Sequence, residues 1–416
     1  MQPSVPRPRF ALILTMAVLA LCYAVFALST VHLMRAMRGA PEVLTAAHEL
    51  PQSDFGLFWC AGHGLADQAA ARLGLPEPDA AYRGICRIDI LADGAPRRLA
   101  WPYPPPMGFL VVPFSFFPLG LGFWLWRLFS LGVGAWLLRK ARLSWPVIAA
   151  GLASPAALHD MTGGQNGTLT GAVLVASLVL AEMRPRVAGV LAGLLLLKPQ
   201  MGLVFPAIIW RRYGVRLVLA GVVTGLGLVV AALAVWGVGP WLWFLHVAGP
   251  DEARTAALPF SSFFPAAGIT VYDMARSFGM GSDAAWACQG AVAVAALGLL
   301  WAGWRAGVMQ PVPRMAFSVS LGLLLMPHGF SYDLVAFSTG MAALFFQAGF
   351  FQAGFFRADA WVRLALALLW LMGGYTITLA NYTGLLLFPL WAACGAALAW
   401  RRRAVISRGD LRKAVV

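Results

Sequence analysis

Apolar runs of bilayer-spanning length recur along this chain from residue 10 to residue 400, and no other feature limits its possible folds so tightly. The runs at 10–34, 121–138, 215–236, 286–304 and 362–380 carry few charges. Inside hydrocarbon, every backbone N–H and C=O must find a partner within the protein, which for segments of this length selects helices. Composition agrees. Hydrophobic residues make up 60% of the chain and charged residues 12%, with a mean hydropathy of +0.75, whereas a soluble domain carries about 25% charged residues. The expected fold is an all-α polytopic membrane protein.

The formal net charge of +14 would suit a nucleic-acid binder, but its distribution argues against one. Most of the basic residues fall in short loops between apolar runs, as at Arg139-Lys140, Arg211-Arg212 and the tail at 401–416. Loops of this kind mark the cytoplasmic side. With the N-terminus cytoplasmic, charge parity gives about twelve crossings, both termini inside, in one integral-membrane domain over 1–416. The first run follows a basic stretch but is too long for a signal-peptide core, so it is read as a retained span. A long outer loop at 35–120 then carries a juxtamembrane or re-entrant helix at 107–119, and a single span is expected at 145–160. The run at 187–210 begins and ends at basic loops and is broken by Lys198-Pro199, so it reads as a hairpin of short helices with Lys198 at its outward tip. A second outer loop occupies 237–285. The cysteines have no metal-ligand spacing. Cys60 and Cys86 share the first outer loop, where a disulfide is chemically possible in an oxidising compartment.

This topology gathers the polar residues on the outer face. Asp54 precedes an aromatic patch (Phe55, Phe58, Trp59) suited to headgroups. An apolar surround would raise its pKa and improve it as a base, although a solvated loop aspartate is the plainer reading. Tyr103 with Pro104-Pro105-Pro106 is a helix entry or a rigid wall. In Gly163-Gly164-Gln165-Asn166-Gly167 the two amides can hydrogen-bond sugar hydroxyls or phosphate oxygens, or simply make a polar turn. Lys198 lies behind Leu194-Leu195-Leu196-Leu197. A cation there needs a partner, and a phosphate would serve; snorkelling is the alternative. Arg127, within a span, is a second candidate for the same role. His328, Tyr332 and Asp333 form an outer turn able to bind sugar, phosphate or acceptor.

Taken in order, Ser53-Asp54-Phe55, Tyr103-Pro104-Pro105, Gly164-Gln165-Asn166, Lys198-Pro199 and the turn at 327–333 resemble glycosyltransferase family 87, the polyprenol-phosphate-mannose-dependent mannosyltransferases. The late turn matches only loosely. The resemblance implies a GT-C fold with its catalytic aspartate in the first outer loop, which maps onto Asp54. It further implies a lipid-linked sugar donor, a glycolipid or glycan acceptor, and an active site facing outward from the cytoplasmic membrane. Asp54 has no tandem acidic neighbour, which speaks against a metal-dependent enzyme of the oligosaccharyltransferase kind, so neither metal nor cofactor is expected. Two rivals remain open. A secondary transporter also has broken helices and intramembrane charges, but usually repeated halves as well. A non-catalytic envelope scaffold would not respond to Asp54→Asn.

Overall fold

The helices form where proline, glycine and capping residues punctuate the apolar runs. A computed structural model describes residues 20, 24, 54–75, 102–260, 266–347 and 358–402. All but residues 20 and 24 of the expected first span, most of the expected first outer loop and the basic tail beyond 402 lie outside the described residues. Among those described, every regular element is helical, and the sole extended pairing is an isolated bridge between Gly268 and Phe330.

Helix α1 (Asp54–Leu73) begins at the acidic residue singled out above, where a carboxylate suits the positive end of a helix. A 3-10 turn (Pro105–Met107) leads into the short α2 (Gly108–Ser115), and Pro118 caps α3 (Leu119–Lys140). Three indole and amide bonds seat α1. Trp59 Nε1 donates to the Phe117 carbonyl at 2.9 Å, Gln68 Nε2 to that of Trp236 at 3.0 Å, and Trp236 Nε1 back to that of Leu65 at 3.0 Å.

The single span expected at 145–160 is instead two short helices, α4 (Trp145–Leu152) and α5 (Pro155–Gly163). Pro155 brings no N–H to continue a helix, and Ser154 Oγ accepts the Ala157 N–H at 3.2 Å to start a new one. Helix α6 (Gly167–Leu180) follows and is buried on every side. Next come α7 (Pro185–Leu194), a 3-10 turn (Leu195–Leu197), a break at Lys198 and a 3-10 segment (Pro199–Ile208). The break falls at Lys198-Pro199, where the sequence placed it. Helix α8 (Gly214–Trp236) is followed by the short helices α9 (Gly239–Trp243), α10 (Gly249–Ala256) and α11 (Val271–Ser277), within the stretch expected to form a second outer loop. The chain closes with α12 (Ser282–Ala306), α13 (Pro311–Leu325), a 3-10 turn (Ser331–Leu334), α14 (Val335–Gln347), α15 (Ala358–Thr383) and α16 (Phe388–Arg401).

Four described helices are long and apolar enough to cross a membrane: α3, α8, α12 and the Trp361–Thr383 stretch of α15. Helix α8 is the most lipid-like, with mean hydropathy 2.5 and only 6% of its span buried. Helices α6 and α13 are apolar but shorter, and both are packed inside the main core. They run antiparallel, because Arg314 at the start of α13 pairs with Glu182 just past the end of α6, and the turn after α13 returns to the start of α6. Cys60 is disulfide-bonded; Cys86, the possible partner raised above, lies outside the described residues. Cys288 and Cys394 are free.

Candidate active site

Five segments distant in sequence meet at the N-terminal end of α6. Asp160, near the end of α5, fixes that end. Its two carboxylate oxygens accept the Gly167 N–H at 2.6 Å and the Thr168 N–H at 2.9 Å, satisfying two of the donors a helix start leaves free. The turn between α5 and α6 passes through Gly164 in the left-handed region (φ 69°), where a Cβ would lie 2.7 Å from both Phe55 Cβ and Phe123 Cε2. Only glycine lets the start of α1 and the side of α3 close on this turn. At Gly167 a Cβ would fall 1.9 Å from the Tyr332 carbonyl oxygen, so the late turn also rests directly on the backbone.

Gln165 is then locked. Tyr103 donates its hydroxyl to Gln165 Oε1 at 2.9 Å, and Trp126 Nε1 donates to the Gln165 carbonyl at 3.1 Å. Burial, then the nearby charges of Asp333 and Asp54, push the Tyr103 hydroxyl well above 10.0, so it remains a donor. With Oε1 occupied, the Gln165 amide nitrogen is the group left to favour the Asp54 charge. Asp54 Oδ2 also sits 3.4 Å from where a Gly163 Cβ would be. Asp54 keeps an exposed face, yet protein is packed closely enough around its carboxyl to push its pKa above 3.8. The Gln165 hydrogen bond and the charge of Lys198 hold back part of that rise. The site thus has one open carboxylate in a poorly hydrated setting.

Lys198 is the opposite case. It is 4% exposed and forms an ion pair with Asp333, which is fully buried. Lys198 Nζ also reaches Asn166 Oδ1 at 3.4 Å and lies 4.6 Å from the centroid of the Tyr332 ring. Asp333 Oδ2 in turn accepts the Phe330 N–H at 3.1 Å. Both Asp333 oxygens are therefore engaged, and its place in the structure is as the partner of Lys198 rather than open to a sugar.

Seven of the nine candidates read from the sequence share this cluster: Asp54, Tyr103, Gln165, Asn166, Lys198, Tyr332 and Asp333. The other two are held elsewhere. Arg127 is adjacent to Trp126 on α3 but turned toward the rings of Phe123 and Trp124, 5.0 and 4.6 Å from their centroids. His328 pairs with Glu252 of α10 at 3.1 Å and packs edge-on against Phe330, beside a small cavity also lined by Asp273 and Gly268. Sequence reading missed Asp160 and Trp126. It also missed His159, whose Nδ1 lies 3.0 Å from Ser331 Oγ and ties α5 to the late turn. The pair His159-Asp160 closing an apolar run was a visible signal for two of these; Trp126 gave none. Among the described residues, no group of three or more His, Cys, Asp or Glu gathers as a metal site.

The sequence model of glycosyltransferase family 87 matches residues 101–327, more than half of the chain. The matched stretch contains Tyr103, Gln165, Asn166 and Lys198; Asp54 precedes it and the turn from His328 to Asp333 follows it. No curated protein and no solved structure matches the chain.

Proposed function

From the premise that the chain belongs to glycosyltransferase family 87 and is a membrane-embedded glycosyltransferase, we propose that it moves a hexose, mannose, from a polyprenyl-phosphate donor to a hydroxyl acceptor with inversion. In this reading the acceptor oxygen attacks the anomeric carbon on the face opposite the phosphate. Asp54 takes the hydroxyl proton as the new C–O bond forms. The bond to the phosphate oxygen breaks with its electron pair, and the polyprenyl phosphate departs as an anion. The leaving group needs no proton, so one carboxylate suffices where glycoside hydrolysis uses two. A β-linked donor gives an α-linked product.

Lys198 meets the charge that develops on the leaving phosphate. Its ammonium has three N–H groups; Asp333 and Asn166 engage two, and the third is offered to the donor. Asp333 and the Tyr332 ring hold the cation in place before substrate arrives, which is how preorganised charge lowers a barrier. Gln165, itself held by Tyr103 and Trp126, orients Asp54. His328 and Glu252 belong to the approach beside Tyr332, on the acceptor side. Arg127 takes no part in the transfer step.

The observation that carries this reading is the pairing of an open, pKa-raised carboxylate with a buried, prepositioned ammonium in one cluster. The remaining features belong to the same proposal: about twelve crossings of the cytoplasmic membrane, both termini inside, the site facing outward, and no metal.

The test is transfer of labelled sugar from polyprenyl-phosphate-mannose in membranes containing wild type or Asp54→Asn. The wild type should label a lipid or glycan product. Asp54→Asn should lose about 10²–10⁴-fold in rate while still binding the donor. An Asp54→Asn variant that transfers at the wild-type rate removes Asp54 as base. A wild type that uses a different polyprenyl-linked sugar corrects the donor alone.

A further inference from the structure

Apart from the Asp54 cluster, the surface holds a second feature that sugar transfer does not use. A groove of about 320 Å³ runs between the 3-10 segment Pro199–Ile208 and α12, lined by Pro206, Trp210, Val294, Leu297, Gly298 and Trp301. The α12 residues lie on one stripe, at the three- and four-residue spacing that puts side chains on the same helix face. The stripe does not end in more hydrocarbon. Its next member, four residues past Trp301, is Arg305, whose guanidinium stacks 5.0 Å from the Trp301 ring centroid.

The opposite wall ends in the same way. Trp210 is followed by Arg211, whose Nη1 lies 2.6 Å from where a Cβ of Gly307 would stand, directly past the end of α12. Arg211 thus bridges the two walls at the mouth of the groove. Its Nε is buried and without a hydrogen-bond partner. Both tryptophans at the rim are exposed, Trp210 by 72% and Trp301 by 37%, as indoles at a headgroup boundary are. The floor is Gly298, where a Cβ would meet nothing within 4 Å. The cleft is therefore lined mainly by apolar surface along its length and cationic at one end.

We propose that this groove binds one acidic membrane lipid, its chain along Gly298 and its phosphate between Arg211 and Arg305. Charge complementarity selects this occupant over a zwitterionic lipid, whose choline or ethanolamine would meet two guanidiniums. The apolar walls select a lipid over free phosphate. None of the residues lining the groove belongs to the Asp54 cluster, so it is separate from the donor site proposed above.

The test is native mass spectrometry of the purified full chain, titrated with phosphatidylglycerol or phosphatidylcholine of identical acyl chains. The wild type should retain one phosphatidylglycerol with about tenfold preference, on the scale of two arginines near a lipid phosphate. Arg211→Gln with Arg305→Gln should bring the two lipids level. Gly298→Leu, a change that favours the helix, should fill the floor and remove the retained lipid with both arginines intact. Asp54→Asn should alter neither. Equal retention of the two lipids by the wild type overturns the proposal. So does Gly298→Leu leaving the preference intact, because a surface basic patch would then explain it without a groove. Should the double variant fail to fold, Arg305→Gln alone with Gly298→Leu decides the same question.

Discussion

Two buried cations anchor opposite ends of the antiparallel α6 and α13, and they are partnered differently. At one end Lys198 is paired with Asp333, and neither side chain is more than 4% exposed. At the other, Arg314 is as deeply buried, but its partner Glu182 is 48% exposed and the pair is set at 2.8 Å. Arg314 stacks 4.8 Å from the Trp304 ring centroid and leaves Nε and Nη2 without hydrogen bonds. The first pair is closed to water, which is how a site holds charge ready for use. The second is half solvated, which suits a fastening at a membrane boundary. Burial of the cation alone does not tell a functional pair from a structural one; the state of the anion does.

The largest effect expected is at the closed pair. Lys198→Met strands Asp333 and should destabilise the protein by about 3–5 kcal/mol, read as a large drop in the thermal transition of the detergent-solubilised chain. Lys198→Met with Asp333→Leu should recover most of that loss, since an apolar replacement of a buried pair is often neutral. Sugar transfer should stay lost in the double variant. A double variant that refolds and transfers at the wild-type rate would make this pair a fastening like the other one.

Much of this arrangement was legible in the sequence. The apolar runs set the helices, and Lys198-Pro199 gave the break because proline cannot continue a helix past it. Charge parity gathered the polar motifs on one face, and seven of the nine candidate residues share one cluster. What was not legible depends on contacts between distant segments. Asp333 read as a polar turn residue open to ligand, because nothing in its local sequence says that Lys198, 135 positions away, will occupy it. Trp126 sat in an apolar run like any other core residue, and its indole found the Gln165 carbonyl only on folding. The break at Ser154-Pro155 was different: the cap and the proline were both written there, and the hydropathy of 145–160 masked them.

A smaller effect separates the open carboxylate from the closed pair. Gly164→Ala places a Cβ 2.7 Å from Phe55 and Phe123 at a left-handed φ, and should cost about 1–3 kcal/mol. It should also slow transfer by disturbing the turn that carries Gln165, measurable as lower kcat with the fold retained at reduced temperature. Retention of full kcat would uncouple the turn from Asp54.

Transfer should also depend on pH through Asp54. In the proposed mechanism Asp54 acts as carboxylate, so rate should fall as pH drops through its pKa, which burial holds above 3.8. Gln165→Leu removes a hydrogen bond that favours the charged form. The pKa then rises further, and the acidic limb of the rate profile should move to higher pH. A limb that stays in place, or moves to lower pH, would mean that Gln165 does not hold the Asp54 charge.

The smallest effect belongs to the open pair and completes the contrast. Glu182→Gln keeps an oxygen acceptor for Arg314 Nη1 while removing the charge. Because Glu182 is 48% exposed, water already screens the pair, and the change should cost no more than about 1 kcal/mol. In a chain of this size that is a shift of a few degrees at most in Tm. Transfer, which depends on groups at the other end of α6, should be unchanged. A collapse of either quantity would place Glu182 among the groups that Arg314 cannot do without, and the two ends of α6 would then be alike in their need for a full anionic partner.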